Sequence, residues 1–252
     1  MMESTCIRTT EISEDIVLIT MCDEINKNTF TNEMMEQLIS AFERIDNSNY
    51  KVVVLTGYNN YFSSGGSKEG LLDIQKGCLN FNNGGEKNIY SLLLRCKIPA
   101  IAAMQGHGIG GGFALGLSAD IVVLSRESIY TSNFMKYGFT PGMGATLILP
   151  EKLGAGLANE MLFRANSFSG EELKRRGVPF AVLPRSEVLE YSISIAQELA
   201  QKPRGSLMLL KKHMVKNLMD RLPQYIDDEI EMHNKTFHTE EVRARIEMLF
   251  GK

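Results

Sequence analysis

The stretch MQGHGIGGGFALGLSAD, residues 104–120, joins a buried strand to a helix through three consecutive glycines, Gly110 to Gly112. The apolar run before it predicts a strand over 98–106, and FALGL is typical of a helix. Glycine is needed where another group approaches the main chain so closely that no side chain fits. A turn at the start of a helix also presents unpaired N–H groups and the positive end of the helix dipole. The stretch therefore predicts a backbone site for a partly negative group.

A second glycine turn, FSSGGS at 62–67, follows another predicted strand. That strand covers 51–57, where KVVVLTG is a short, continuous run typical of strands buried on both faces of a sheet. Two such turns from adjacent strands would bring their N–H groups to one oxygen atom, which is the arrangement of an oxyanion hole. Losing one donor from such a site typically costs about 2.7–4 kcal/mol of transition-state stabilisation.

Two other interpretations of the glycines stay open at this point. The segment GHGIGG, 106–111, satisfies the G-x-G-x-x-G pattern of dinucleotide sites. It lies outside a first βαβ unit, however, and no acidic residue ends a strand about 20 positions later. The glycines would also suit close packing of a helix on a strand. The presence of two turns favours the oxyanion hole.

Further strands are predicted over 15–21 and 119–128, and a helix over 31–47 with Thr31 as its cap. Strands that alternate with helices predict an α/β fold with parallel crossovers. From about residue 186 the chain is predicted to be helical. The expected helices cover 186–202, 203–219, 223–237 and 239–252, with Pro203 and Pro223 in first turns, and NFNNGGEKN at 80–88 is expected to be a mobile loop. We therefore expect a core over 1–190 and a C-terminal helical region over 191–252.

Composition argues against several classes of function. The chain has a formal net charge of −3, and its basic residues are spread out, whereas nucleic-acid binding calls for a basic face. We expect neither a secretory leader nor a membrane span, since no apolar run approaches the ~18 residues that cross a bilayer. The four cysteines form no CxxC pair, which argues against a zinc cluster and predicts reduced thiols in the cytoplasm.

Five segments taken together resemble the crotonase superfamily of enoyl-CoA hydratases and isomerases. They are NKNTFT (26–31), VVVLTG (52–57), FSSGGSKE (62–69), IPAIAAMQGHGIGGGFALGLSAD (98–120) and YGFTPGMGAT (137–146). The resemblance implies a spiral of ββα units with two near-perpendicular sheets, and C-terminal helices that assemble a homotrimer or a dimer of trimers. It also implies that Gly66 and Gly111 donate their N–H groups to a thioester oxygen, and that Lys27 lies near the coenzyme phosphates.

Two departures from the family pattern carry the functional prediction. Ala114 and Phe134 occupy the positions where a hydratase of this family has its two glutamates. Water addition needs a general acid and a general base, so the apolar pair argues against hydration. Decarboxylation needs no proton abstraction, because the electrons of the broken bond flow onto the thioester oxygen in the oxyanion hole. Ala114 and Phe134 are then expected to line the substrate site.

The segments RGVPF (176–180) and HNKTFHTEEV (233–242) narrow the resemblance to the decarboxylating members of polyketide β-branching cassettes. This implies conversion of 3-methylglutaconyl to 3-methylcrotonyl on an acyl carrier protein, or on CoA, with no metal or nucleotide cofactor. It also implies a catalytic histidine, matched by His233, and a lysine after the first oxyanion glycine. The matching position is Ile74, so Lys76 is the candidate, with Lys68 nearby.

Two alternative functions stay open. A double-bond isomerase of acyl thioesters would need a base that the sequence does not reveal. A crotonase-fold scaffold that binds carriers without catalysis would have no need for two converging N–H donors.

Other residues have plainer interpretations. His238 is the rival of His233, His107 is expected to pack beside the glycine turn, and Asp120 to make a structural hydrogen bond. Core or surface roles are expected for Tyr90, Lys136 and Tyr137. The basic stretch formed by 202–204, Lys211, Lys212 and Lys216 is interpreted as a solvated helix face, with docking of an acidic carrier protein as the alternative.

Overall fold

The computed structural model describes residues 5–76 and 88–250. Its strands are β1 (Ile7–Ser13), β2 (Ile16–Met21), β3 (Val52–Thr56), β4 (Tyr61–Ser63), β5 (Ala100–Met104), β6 (His107–Ile109), β7 (Ile121–Ser125), β8 (Ile129–Thr131), β9 (Ser167–Ser169) and β10 (Ala181–Leu183). Its helices are α1 (Asn32–Asp46), α2 (Lys68–Gln75), α3 (Leu92–Arg95), α4 (Gly111–Leu117), α5 (Ala145–Leu153), α6 (Ala155–Arg164), α7 (Gly170–Arg175), α8 (Arg185–Ala200), α9 (Arg204–Thr236) and α10 (Glu240–Leu249). Short 3-10 turns cover Ile89–Ser91 and Phe134–Tyr137.

The strands form two sheets. The larger has the order β1-β2-β3-β5-β7-β10 and the smaller has the order β4-β6-β8-β9. Strands β3, β5 and β7 pair in parallel in the first sheet, and β4, β6 and β8 pair in parallel in the second. Each turn of the chain thus places one strand in each sheet before a helix follows, which is a spiral of ββα units. The predicted parallel crossovers are confirmed, and the antiparallel β1–β2 pair is an addition.

The centre of the large sheet is buried on both faces, as the continuous apolar runs predict, whereas the edge strand β1 is mostly exposed. Every residue of β3 and of β5 is buried. One face packs on α8, and the other faces the main core and α1. The predicted cap of α1 is confirmed, because Thr31 Oγ1 accepts a hydrogen bond of 3.1 Å from the Met34 N–H.

The C-terminal region differs from the prediction at its second proline. Segments 203–219 and 223–237 form one continuous helix, α9, with Pro203 as its N-cap and Pro223 inside it. A proline inside a helix removes one hydrogen bond and costs about 3 kcal/mol. Pro223 is exposed while its neighbour Leu222 is buried in the core, so tertiary packing outweighs the local preference. The predicted boundary at residue 190 falls within α8.

Lys211 on α9 is not solvated, contrary to the prediction for this stretch. It is 5% exposed, and its Nζ lies 2.8 Å from Asp120 Oδ2. The same Nζ donates to the carbonyl oxygens of Leu93 at 2.7 Å and Ile98 at 3.0 Å. Asp120 also accepts from the Ala100 N–H at 2.7 Å, which confirms its structural role. This ion pair fastens α9 to the core, whereas Lys212 and Lys216 are exposed.

The substitution Lys211→Ala should lower the free energy of unfolding by about 3 kcal/mol. It leaves the partly buried Asp120 carboxylate without its ion-pair partner, and the carbonyl groups of Leu93 and Ile98 without this hydrogen-bond donor. Urea denaturation measures this loss. Lys212→Ala, one position along on the exposed face, is the matched control and should change stability by less than about 0.5 kcal/mol. Equal losses in the two variants would contradict the anchoring role of Lys211.

Two features of the described residues bear on location. No helix in residues 5–76 and 88–250 is long and apolar enough to cross a membrane. Among the described residues, Cys6, Cys22 and Cys96 form no disulfide, whereas Cys78 lies outside the described residues, as does most of the predicted loop at 80–88.

Candidate active site

The two glycine turns touch each other. Gly65 has a left-handed φ of +75°, and a Cβ there would lie 2.5 Å from the Ile109 carbonyl oxygen and 3.2 Å from the Gly111 nitrogen. Gly66 and Gly111 line one cavity of about 540 Å³. Within the described part of the chain, neither of their N–H groups donates a hydrogen bond. The predicted convergence of the turns is therefore present, and both donors are available to a ligand.

The first turn is held by a loop in the left-handed conformation. Asn28 is 1% exposed and has a φ of +54°, which asparagine adopts more readily than most residues other than glycine. Its Nδ2 donates to the carbonyl oxygens of Tyr61 at 3.2 Å and Phe62 at 3.1 Å. Ser63 Oγ donates in return to the Asn28 carbonyl oxygen at 2.7 Å, and the Phe30 N–H donates to Gly65. These bonds fix the turn that presents the Gly66 N–H.

Both basic and apolar side chains line the large cavity, together with the acidic Glu69. Lys27, Lys68 and Lys136 line it, and the Lys27 Nζ lies 5.4 Å from the centre of the Tyr61 ring. The apolar side chains include Phe134, which is 8% exposed. A cavity of this kind suits a ligand with an anionic group and an apolar chain.

Only one of the two predicted apolar substrate contacts lines this cavity. Phe134 does so, whereas Ala114 is 2% exposed and lies inside α4, one turn beyond Gly111, outside the lining of the cavity. The side of α4 that carries Ala114 faces the core.

His233 does not line the large cavity. The side chain comes from α9, is 3% exposed, and its Nε2–H donates to the Thr140 carbonyl oxygen at 2.7 Å. It borders a second cavity of about 10 Å³, the size of one water molecule. Met143 lines this second cavity and not the large one. A Cβ on Gly111 would lie 2.0 Å from its sulfur, so Met143 packs directly on the second oxyanion glycine.

The environment of His233 favours the neutral ring. Burial lowers the pKa of His233 to about 4, with a smaller lowering from His238 and an opposing effect of the hydrogen bond to Thr140. The ring is therefore uncharged at neutral pH in the ligand-free protein.

Lys76 does not border the large cavity. It is exposed at the C-terminal end of α2, whereas Lys68 starts that helix and lines the cavity. A helix of this length separates its ends by about 12 Å. His238 also lies at the far end, where its Nδ1 contacts the Gln75 carbonyl oxygen at 2.9 Å.

Three other predicted residues have clear positions. His107 lines the cavity, and its Nδ1 accepts a hydrogen bond of 2.9 Å from the Ile129 N–H, so it both packs and borders the site. Burial lowers the pKa of His107. Tyr137 lines the large cavity and Tyr90 the small one, where burial raises the pKa of Tyr90 to about 12.

Sequence reasoning missed Glu229 and Met143. Glu229 lies in the small cavity beside His233, and the only sequence signal for it is its position four residues before His233 on one helix. Nothing in the sequence marks Met143, because its role depends on a left-handed backbone conformation.

Comparisons with known proteins identify the family of the chain. The family model for enoyl-CoA hydratase/isomerase matches residues 11–251, so the chain belongs to that family. It is 60% identical over 242 residues to the bacillaene synthase decarboxylase PksI of Bacillus subtilis (strain 168), covering 96% of each chain.

Two solved structures are similar over nearly the whole chain. One comes from a dehydratase/decarboxylase enzyme couple involved in polyketide β-branching, with a TM-score of 0.95, 58% identity, and coverage of 98% of this chain and 100% of that one. The other is the ECH2 decarboxylase domain of CurF from Lyngbya majuscula, with a TM-score of 0.93, 44% identity and the same coverage. The predicted crotonase fold is confirmed.

The lowered pKa of His233 predicts a loss of stability in acid. The unfolded chain protonates this ring below about pH 6.5 and the folded chain only near pH 4, so between these values the unfolded state binds more protons. Lowering the pH from 7 to 5 should therefore remove about 2 kcal/mol of stability through His233 alone.

Urea denaturation at the two pH values measures this effect. His233→Gln should lose less stability on acidification than the unsubstituted protein, and His213→Gln, at an exposed position of the same helix, is the control. The same pH dependence in His233→Gln as in the unsubstituted protein would contradict the assignment.

Proposed function

We propose that this protein decarboxylates a 3-methylglutaconyl thioester on an acyl carrier protein to the 3-methylcrotonyl thioester, in polyketide β-branching. One observation carries the proposal: Gly66 and Gly111 present their N–H groups to one cavity, while Ala114 and Phe134 replace the two carboxylates of a hydratase. The relatives named as decarboxylases support the same class of enzyme.

The oxyanion hole accounts for the first step. The bond between the substrate's terminal CH₂ and its carboxylate breaks, CO₂ leaves, and the electron pair moves through the double bond onto the thioester oxygen. The N–H groups of Gly66 and Gly111 stabilise the resulting dienolate. No proton is removed from carbon, so the step needs no general base.

His233 is the residue we assign to the second step, in which the dienolate takes up one proton. The neutral ring of the ligand-free protein becomes an imidazolium more readily when the substrate carboxylate comes near, because an opposite charge raises the pKa of a histidine. Loss of CO₂ then leaves the imidazolium beside the dienolate. The acyl end would reach this ring by displacing the flexible side chain of Met143, which lines the small cavity and packs on Gly111.

The lysines that line the large cavity suit the anionic phosphate of the carrier arm. We assign Lys27, exposed beside Tyr61, to the phosphate of the phosphopantetheine. Of the two lysines of α2, Lys68 rather than Lys76 has the position to meet an anionic group in the cavity. CoA, which carries the same arm, would occupy the same groups.

We further propose that the chain assembles as a homotrimer, or as a pair of trimers, through its C-terminal helices. The outer face of α9 carries Leu209, Leu210 and Met214, which are 71%, 59% and 68% exposed. Large apolar side chains exposed together on one helix face favour a protein contact. A solution mass of three times 28.2 kDa, or of twice that trimer, is the expected result.

The proposal includes no metal or nucleotide cofactor, since the thioester carbonyl is the electron sink and two peptide N–H groups stabilise its negative oxygen. Activity should survive dialysis against a chelator. We place the reaction in the cytoplasm, where the thiols of Cys6, Cys22 and Cys96 would stay reduced.

Two substitutions at Gly66 test the oxyanion hole. Gly66→Ala keeps the N–H, and its Cβ would meet only Leu71 at 3.5 Å, so CO₂ release from the carrier-bound substrate should stay within about threefold. Gly66→Pro removes the N–H and should lower kcat at least about 100-fold. Mass spectrometry of the acyl carrier follows the loss of CO₂, and melting temperatures confirm that both variants fold.

The outcomes separate the candidate functions. A scaffold would give no CO₂ with any variant yet bind the carrier. An isomerase would shift the double bond without a change of mass, which NMR detects. Equal CO₂ release by Gly66→Pro and Gly66→Ala would contradict the role of the Gly66 N–H.

A further inference from the structure

Glu229 is a buried carboxylate that the proposed reaction does not use. It is 2% exposed, and its carboxylate accepts three hydrogen bonds. Oε2 accepts from the Gly144 N–H at 2.7 Å, and Oε1 accepts from the Thr146 N–H at 2.9 Å and from the Thr146 hydroxyl at 2.6 Å. Burial raises the pKa of Glu229, and these hydrogen bonds oppose the rise. A side chain of α9 thus holds the start of α5.

The segment that Glu229 holds has a strained backbone. Met143 and Gly144 have φ angles of +65° and +71°, both in the left-handed region. For a methionine this conformation is unfavourable, so the surrounding contacts must maintain it. The two N–H groups bound by Glu229 lie on residues 144 and 146, directly after Met143. The carboxylate therefore acts on the backbone at the place where the strain is concentrated.

The same segment contacts both the second oxyanion glycine, Gly111, and the ring of His233. On one side Met143 packs on Gly111. On the other side the Thr140 carbonyl oxygen accepts from His233, and a Cβ on Gly142 would lie 2.4 Å from the His233 ring. One short loop, residues 140–146, thus sets the position of the imidazole and packs on the second oxyanion glycine through Met143.

Helix α9 supplies the partners of this loop from a single face. Glu229, His233 and Thr236 follow one another at intervals of four and three residues, and all three contact residues 140–146. Thr236 does so through its hydroxyl, 3.2 Å from that of Thr140. The loop is consequently bound at both ends, by Thr236 at Thr140 and by Glu229 at Gly144 and Thr146. His233 lies between these two residues on α9.

We propose that Glu229 is a positioning residue: it holds the 140–146 loop in the conformation in which Thr140 orients His233 and Met143 packs on Gly111. This inference rests on the proposed role of His233. A carboxylate suits the task because it accepts from two backbone N–H groups and one hydroxyl at once. The amide of glutamine has one oxygen and would turn its NH₂ group toward one of these donors.

Glu229→Gln should lower kcat about tenfold with KM changed less than twofold, because the loss affects the reacting groups and not the carrier arm. In a His233→Gln background the same change should lower kcat less than twofold, since the group that Glu229 positions is already absent. Glu231→Gln, at an exposed site two residues along α9, is the matched control and should leave kcat unchanged.

Hydrogen exchange provides a readout that needs no turnover. In Glu229→Gln, peptides covering 139–149 and 108–116 should exchange faster than in Glu231→Gln, and α1 should exchange at the same rate in both. Thr146→Val, which removes only the hydroxyl donor, should have a smaller effect in the same direction. It also keeps the test valid if Glu229→Gln fails to fold.

The outcomes are distinguishable. Unchanged kcat in Glu229→Gln, or a tenfold loss that persists in the His233→Gln background, would overturn the positioning role. If the unsubstituted protein released no CO₂, or if His233→Gln were fully active, the proposed function or the role of His233 would fail. Hydrogen exchange would then be the deciding measurement. Unchanged exchange rates at 139–149 and 108–116 in Glu229→Gln would contradict the claim that Glu229 holds the 140–146 loop in place.

Discussion

The contact between two glycine turns is the constraint on which the site depends. Gly65 can lie against the Ile109 carbonyl oxygen and the Gly111 nitrogen only because it has no side chain and adopts a left-handed φ. The spiral brings the turns together, since β3 and β5 are neighbours in one sheet and β4 and β6 are neighbours in the other. The fold thus places the N–H groups of Gly66 and Gly111 at one cavity, and neither hydrogen-bond donor is a titratable side chain.

Helix α9 links this backbone site to the rest of the molecule. Near its N-terminal end Lys211 is bound to Asp120 and to two core carbonyl groups. Near its other end Glu229 and His233 are hydrogen-bonded to the 140–146 loop, whose Met143 packs on Gly111. The continuity of the helix through Pro223 matters for this reason, because a break there would uncouple the anchored end from the end that carries the imidazole.

Much of this arrangement could be predicted from the sequence, because it depends on local patterns. The buried runs of β3 and β5, the cap at Thr31 and the two glycine turns follow from residue type and spacing. The apolar residues Ala114 and Phe134 predicted the loss of hydratase chemistry, and the decarboxylases among the relatives confirm the class of enzyme.

The remaining features depend on tertiary contacts, and the sequence does not reveal them. Packing of Leu222 overrides the helix-breaking preference of Pro223, and an ion pair with Asp120 buries Lys211. The spacing of residues in the sequence does not show that Ala114 lies outside the lining of the large cavity. Nor does it show that His233 borders a separate small cavity together with Met143. The left-handed residues Asn28 and Met143 are equally hidden, because neither residue type requires that conformation.

The central claim is that the oxyanion hole remains while the acid and base of hydration are gone. Incubating the protein with a crotonyl-loaded acyl carrier protein, and with a 3-methylglutaconyl-loaded one, tests this most directly by mass spectrometry of the intact carriers. The account predicts that the second loses the mass of CO₂ and that the first gains no water. Addition of water to the crotonyl group would contradict it, because hydration would then proceed without either glutamate.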